Sequence, residues 1–349
     1  MTTEADSRTR QAPTAAVSWI GQLLGYGIGV ACLYWVFHDI RFSELMRSLA
    51  AIDWWWVLPA VILVLLVYVC AAWEWQLLLR PAGHLTLGQS LQAVLAGRFA
   101  NDVLPVHAGY IVRVYLASRW SGKSIAAVVP SLLIERLFDA FWLAVGFAVT
   151  SLFFPLPGGL ARTGDVLGGI ILLGIAVVTW TIIRKHRANA EPEHGRLSHW
   201  KAFVRVRSFM QRLAQGVRGL GRSPLILAGL GLSIVKLLLQ ALTFFILLQA
   251  YGFAFTFWVK LAVFIIAYIG LSMPSTPAGL GVFQFLCAAG LKYFGAAKPA
   301  ASGFALLAYV VLTAPLTLAG FIAVTRSGLS LHQIRHEIGQ WKNMVSGRK

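Results

Sequence analysis

The stretch NDVLPVHAGYIVR, residues 101–113, sets an Asn–Asp pair, a Pro, a His and a Gly inside a chain that is otherwise overwhelmingly apolar. A second stretch, SMPSTPAGLGVFQ at 272–284, interrupts another apolar run in the same way. Around them, 58% of the 349 residues are hydrophobic, 12% are charged, and the mean hydropathy is +0.72. Soluble domains carry about a quarter of their residues as charges, which leaves little room for a water-soluble enzyme. Apolar runs of the ~20 residues needed to cross a bilayer recur along the chain. They fall at 17–37, 54–79, 125–153, 166–183, 224–250, 257–273, 280–294 and 301–325. The expected fold class is therefore an all-α polytopic membrane protein of about eight transmembrane helices, with two Pro/Gly-broken, re-entrant segments.

The net charge of +17 invites a nucleic-acid reading, but its placement opposes one. Ten Lys or Arg lie between Arg184 and Arg222, against Glu191 and Glu193. Such a run marks a cytoplasmic loop facing anionic lipid, and no aromatic-interleaved nucleic-acid motif accompanies it. With 184–223 inside, both termini fall inside too, in keeping with Arg8 and Arg10 at one end and Arg326, Arg335, Lys342, Arg348 and Lys349 at the other. Within the loop, Phe203, Val206, Met210, Leu213, Val217 and Leu220 share one helical face, flanked by cations, as in a helix lying on the inner leaflet.

The expected division is a disordered cytoplasmic N-terminus at 1–16, a transmembrane domain at 17–325 with halves at 17–183 and 224–325, and a cytoplasmic tail at 326–349. Each half holds four runs and one break, so a two-fold internal repeat is a further expectation, its halves entering from the same side. Paired Gly/Pro-interrupted segments in corresponding halves are the best sequence pointer to a transporter's binding site.

Lipid cannot satisfy freed backbone groups, so a break at membrane depth must be buried in protein or line a wet cavity. A re-entrant hairpin meets this requirement at 101–113; a plain cytoplasmic loop is the alternative. In the second break, the helix beginning near Gly281 would offer its N-terminal amides to an anion, or Pro and Gly merely make a tight bend. The run VVPSLLIERLFDAFWLAVGF places Glu135, Arg136 and Asp139 in one apolar helix. Charges there are costly against lipid and should face the interior, either as a helix-pinning triad or as part of a substrate path. Lys236, with Gln240 one turn on, calls for an interior partner such as Glu135 or Asp139, for a lipid phosphate, or for snorkelling to the surface.

No enzyme site emerges from the residues. The three cysteines, Cys32, Cys70 and Cys287, lie far apart without metal spacing. His332 and His336 share a helical face but have no third ligand. Gly21, Gly25 and Gly29 repeat every four residues and read as a packing face.

Together these motifs resemble the transmembrane region of the lysylphosphatidylglycerol synthase family, the flippase-like domain family. Asn101, Leu104, Pro105, Gly109 and Arg113 match its first motif; Glu135, Arg136 and Asp139 its second; Pro274, Pro277, Gly279 and Gly281 its third. Tyr110 and Gln284 stand where the family carries Glu, and Ala278 replaces a Gly. The resemblance implies translocation of a lipid between leaflets of a bacterial inner membrane, with the departures turning the substrate towards a more anionic or neutral lipid. The family's bifunctional members add a cytosolic aminoacyl-transferase domain; residues 326–349 are far short of domain size, so synthase activity is not expected. Hopanoid and glycan-lipid pathways occupy other stand-alone relatives, leaving the lipid open.

The expected substrate-binding residues are Asn101, Pro105, Gly109, Arg113, Glu135, Arg136, Asp139, Lys236, Gln240, Pro274, Ser275, Pro277, Gly279, Gly281 and Gln284. No cofactor, metal or catalytic residue is expected. Membrane lipids are the expected partners, with a homo-oligomer left open and nucleic acid excluded. A non-transporting scaffold for a lipid- or glycan-lipid-modifying enzyme is the alternative, and an intramembrane enzyme acting on a lipid-linked sugar is a third reading.

Overall fold

Apolar runs without charged interruptions leave the backbone one way to satisfy its own hydrogen bonds in lipid, which is the α-helix. The computed structural model describes residues 13–50, 52–103, 109–153, 224–272 and 279–328, and among these every regular element is helical. In chain order they are α1 (Pro13–Phe37), α2 (Phe42–Ala50), a 3-10 turn (Trp54–Trp56) running into α3 (Val57–Leu79), α4 (Leu87–Val103), α5 (Gly109–Ser121), α6 (Ile125–Phe153), α7 (Pro224–Ala250), α8 (Phe257–Ser272), α9 (Val282–Tyr293) and α10 (Lys298–Ser327). Among the described residues, three helical stretches are long and apolar enough to cross a membrane: Trp54–Leu79, Pro224–Ala250 and Lys298–Ser327. Gly25–Phe37, Phe257–Leu271 and Val282–Tyr293 are apolar but shorter. The expected run at 166–183, the basic loop and its amphipathic face, and the His332–His336 pair lie outside the described residues.

Local chemistry sets the ends. Thr86 and Gln89 form a reciprocal cap on α4: the Gln89 amide donates to Thr86 Oγ1 (3.2 Å) and the Thr86 amide to Gln89 Oε1 (2.9 Å). Helix α7 stops at Gly252, whose φ of +80° lets the Phe253 amide fold back onto the Leu248 carbonyl at 3.0 Å. Asp53 accepts from the Trp55 amide at 3.2 Å, fixing the turn that starts α3. Helix α2 has no counterpart among the expected elements; at 9 residues it is too short to span and is charged on one side by Glu44 and Arg47.

Helices α3 and α7 run antiparallel. The Asp53 amide donates to the Ala250 carbonyl at 3.0 Å at one end, and Gly229 faces Leu78 at the other. Helices α4 and α10 are also antiparallel, with Gln92 Nε2 donating to the Ala323 carbonyl (3.1 Å) and Thr317 Oγ1 to Asp102 Oδ2 (2.8 Å). Small residues bring backbones together where hydrophobic driving force is weak. A Cβ on Gly320 would lie 2.6 Å from the Leu95 carbonyl oxygen. Gly97 and Gly109 press α4 against α5, and Gly281 meets the backbone of Gly29 on α1.

The order long, short, short, long occurs twice, as α3–α6 and α7–α10. The first members of the two sets, α3 and α7, point in opposite directions. The inner ends of the short helices meet the middle third of α10: Asp102 near the end of α4 at Thr317, and Phe283 near the start of α9 at Tyr309 (ring centroids 5.9 Å).

Candidate functional site

A chain of alternating charges runs through the interior. Glu74 on α3 accepts from Ser233 and, at 2.6 Å, from Lys236 Nζ, both on α7. Lys236 Nζ also lies 2.6 Å from Asp139 Oδ1 on α6. Asp139 Oδ2 takes Arg136 Nη1 at 3.0 Å, and Arg136 Nη2 lies 3.4 Å from Glu135 Oε1. Glu135 ends the chain on Arg113 of α5, gripped through both guanidinium amines, the Nη1 contact at 3.0 Å. Three carboxylates thus offset three cations. An isolated buried charge in such surroundings costs several kcal/mol, and alternation is what makes the cluster tolerable.

Position along each helix explains the assembly. Glu135 and Asp139 are four apart on α6 and project on one side. Glu135 reaches Arg113 on α5, and Asp139 reaches Lys236 on α7. Trp75, next to Glu74, lies under Arg113 with the guanidinium carbon 4.0 Å from its ring centre, and its indole donates to Ser131 Oγ at 3.1 Å. Arg136 lies over the Tyr110 ring at 5.1 Å.

The members differ in access. Lys236 and Arg113 are 5% and 4% exposed, whereas the Arg136 side chain is 46% exposed and that of Asp139 20%. The outlet is a cavity of about 350 Å³ bordered by α3 through α8. Glu135, Arg136, Asp139, Lys236 and Gln240 line one side, and Asn101, Gly109, Tyr110 and Arg113 another. Tyr68, Tyr268 and Gly279 complete the wall with apolar residues between them. Its size falls in the range of small-molecule sites. The arrangement offers an exposed guanidinium beside carboxylates and phenol rings, a setting suited to holding a phosphate or a polar headgroup by hydrogen bonds.

Nine of the expected site residues therefore gather at one cavity: Asn101, Gly109, Arg113, Glu135, Arg136, Asp139, Lys236, Gln240 and Gly279. Pro105, Pro274, Ser275 and Pro277 lie outside the described residues. Asn101 is partly occupied with structure, since its Oδ1 accepts from the Gly109 amide at 2.8 Å. Gly281 and Gln284 are not among the residues lining the cavity. The Gly281 amide donates to Gln284 Oε1 at 2.6 Å, and Gln284 is 1% exposed. That hydrogen bond takes up the Gly281 amide and shapes the start of α9.

Glu74, Trp75 and Arg98 are not among the residues that the sequence singles out. Glu74 stands within the last turn and a half of an apolar run, where a charge reads as interfacial. Arg98 lies in α4, a helix too short to be judged a span. Only the packing of α3 on α7 and of α4 on α10 gives them meaning.

Residues 22–320 match the family described as the lysylphosphatidylglycerol synthase TM region. A curated relative, a UPF0104 membrane protein of Methanothermobacter thermautotrophicus strain Delta H, is 20% identical over 292 residues, covering 80% of this chain and 86% of that protein. Together with the apolar helices, the match indicates a multi-pass membrane protein.

Proposed function

The chain belongs to the lysylphosphatidylglycerol synthase transmembrane-region family, and from that premise we propose that it is a lipid translocase that moves a phosphate-bearing lipid between the leaflets of a bacterial inner membrane. In this reading the termini are cytoplasmic and α4–α5 and α8–α9 are re-entrant hairpins entering from opposite sides, which reduces the eight expected runs to six spans: α1, α3, α6, the sequence run at 166–183, α7 and α10. The meeting of both inner ends with the middle third of α10 supports the hairpins, and oppositely directed repeats with broken helices at the midplane are a recurrent transporter plan.

The observation that carries the proposal is the exposure of Arg136 into the 350 Å³ cavity while each of its carboxylate partners keeps a second cation. Asp139 retains Lys236, and Glu135 retains Arg113. Arg136 can therefore pass from Asp139 to a lipid phosphate without stranding a buried carboxylate. The headgroup crosses in the cavity while acyl chains stay in lipid. The protein forms and breaks no covalent bond in this cycle, and the movement is either downhill or coupled to an ion gradient.

Vesicles reconstituted with the purified protein and a fluorescent anionic phospholipid test this. Loss of outer-leaflet asymmetry faster than in protein-free vesicles is expected, and slowed by Arg136→Gln. Equal rates with and without protein, for phospholipids and prenyl phosphates alike, would sink it.

A further inference from the structure

Beside the charged cavity lies a smaller, mostly apolar niche of about 60 Å³, lined by Phe244, Phe264, Phe283, Leu312 and Leu316. Arg98 borders both spaces, together with Tyr68 and Tyr268. Arg98 Nε lies 3.3 Å from Asp102 Oδ1, yet among the described residues neither atom has a hydrogen-bond partner of good geometry, while the other Asp102 oxygen is held by Thr317. The Arg98 side chain remains 18% exposed and borders both spaces, so a cation whose own ion pair is loosely made stands at the mouth of an apolar pocket, a place suited to an anion. The wall behind it asks for hydrocarbon within a bond or two of that anion.

Resting on the translocase reading, we infer that the substrate is a phosphate ester of a hydrocarbon alcohol, a prenyl or alkyl phosphate, rather than a glycerophospholipid. Its phosphoryl group binds Arg98, and its first carbons fill the niche among Phe244, Phe264 and Leu312. In a glycerophospholipid the first carbon after the phosphate is followed by two glycerol carbons that each bear an acyl ester oxygen. Packing those oxygens against phenyl rings and leucines leaves polar groups unpaired, which is costly. A hydrocarbon carbon has no such penalty. The niche is about twice the share of one water in the liquid, ~30 Å³, enough for about the first two carbons of a chain.

The test is ligand binding to the purified full chain in detergent, read by calorimetry. Probes are farnesyl phosphate, farnesol, inorganic phosphate and dihexanoyl phosphatidate. Farnesyl phosphate is expected to bind about tenfold or more tightly than each of the others. Arg98→Gln is expected to reduce that affinity about tenfold. Leu312→Trp, at a half-buried position, fills the niche and is expected to weaken farnesyl phosphate while leaving phosphatidate binding unchanged. Phosphatidate binding as tightly as farnesyl phosphate overturns the inference, as does a Leu312→Trp variant that binds farnesyl phosphate normally. Should Arg98→Gln fail to fold, the probe comparison on the unaltered chain and the Leu312→Trp variant still decide. If farnesyl phosphate does not bind but fluorescent phospholipid crosses reconstituted vesicles, this inference falls and the translocase reading stands.

Discussion

Lys236 Nζ stands 2.6 Å from Glu74 Oε2, joining α7 to α3 across 162 positions of sequence. Glu74 is fully buried and its other oxygen is taken by Ser233. Both ions are dehydrated, so each is tolerable only because of the other. Replacing Glu74 by Ala leaves Lys236 with Asp139 alone and empties the space beside it. The expected loss is about 3 kcal/mol, read as a lowered unfolding midpoint in detergent. Adding Lys236→Met to that variant should recover part of the loss, because it removes the stranded ammonium. A double variant less stable than the single would show that Glu74 matters for reasons other than this pair.

Arg136 behaves oppositely. Its side chain is 46% exposed, so its ion pairs are screened and contribute no more than about 1 kcal/mol. Arg136→Gln should therefore leave the unfolding midpoint within a few degrees. The same change removes an accessible cation whose carboxylates are otherwise paired, and translocation per folded protein should fall about tenfold or more. A variant that unfolds early but moves lipid normally would reverse both assignments.

The contrast between Glu74 and Arg136 also marks what the sequence carries. Apolar length suffices to locate α3 with its leading turn, α6 and α7, whose observed bounds coincide with the expected runs at 54–79, 125–153 and 224–250. Glu135, Arg136 and Asp139 are conspicuous because each breaks such a run. Which cation serves which carboxylate depends on how helices distant in sequence pack. Asp139 has an i, i+3 partner legible on its own helix, and it is one of the partners the sequence offers Lys236, but choosing it over Glu135, a lipid phosphate or snorkelling takes the packing. Glu74 hides near a helix end, and the hydrogen bond of Gln284 to the Gly281 amide is legible only in the folded turn.

The crossing of α4 and α5 rests on two glycines. A Cβ on Gly109 would fall onto the Gly97 carbonyl, and one on Gly97 would come 2.8 Å from the Gly109 carbonyl oxygen. Backbone cannot retreat as a flexible side chain can, so Gly97→Ala should destabilise by about 1–3 kcal/mol. It should also displace Arg113, four positions beyond Gly109, from its place beside Glu135. Gly231→Ala supplies the control: nothing lies within 4 Å of the added carbon, and removing a helical glycine should be neutral or stabilising by up to ~1 kcal/mol. Thermal unfolding of the two variants side by side checks the sign of each.

Gln284 separates a structural role from a binding one. Its side chain is 1% exposed, its Oε1 accepts from the Gly281 amide at 2.6 Å, and it does not border the cavity. Gln284→Leu keeps the volume but leaves that amide unpaired in a buried setting, at a cost of about 1–3 kcal/mol. Gly281 has little freedom to compensate, since its φ of +92° and its contact with the Gly29 backbone hold it in place. The midpoint of unfolding should drop, while lipid movement per folded molecule and ligand affinity at the cavity should remain those of the unaltered chain. Gln284→Glu offers the sharper comparison. A carboxylate still accepts from the Gly281 amide, so the cap can persist, but the charge lies fully buried on the helix face that carries Cys287 and Ala288. It should therefore lower stability without creating a new headgroup contact. A change of lipid preference in the Glu variant, with stability intact, would place Gln284 back among the residues that touch substrate.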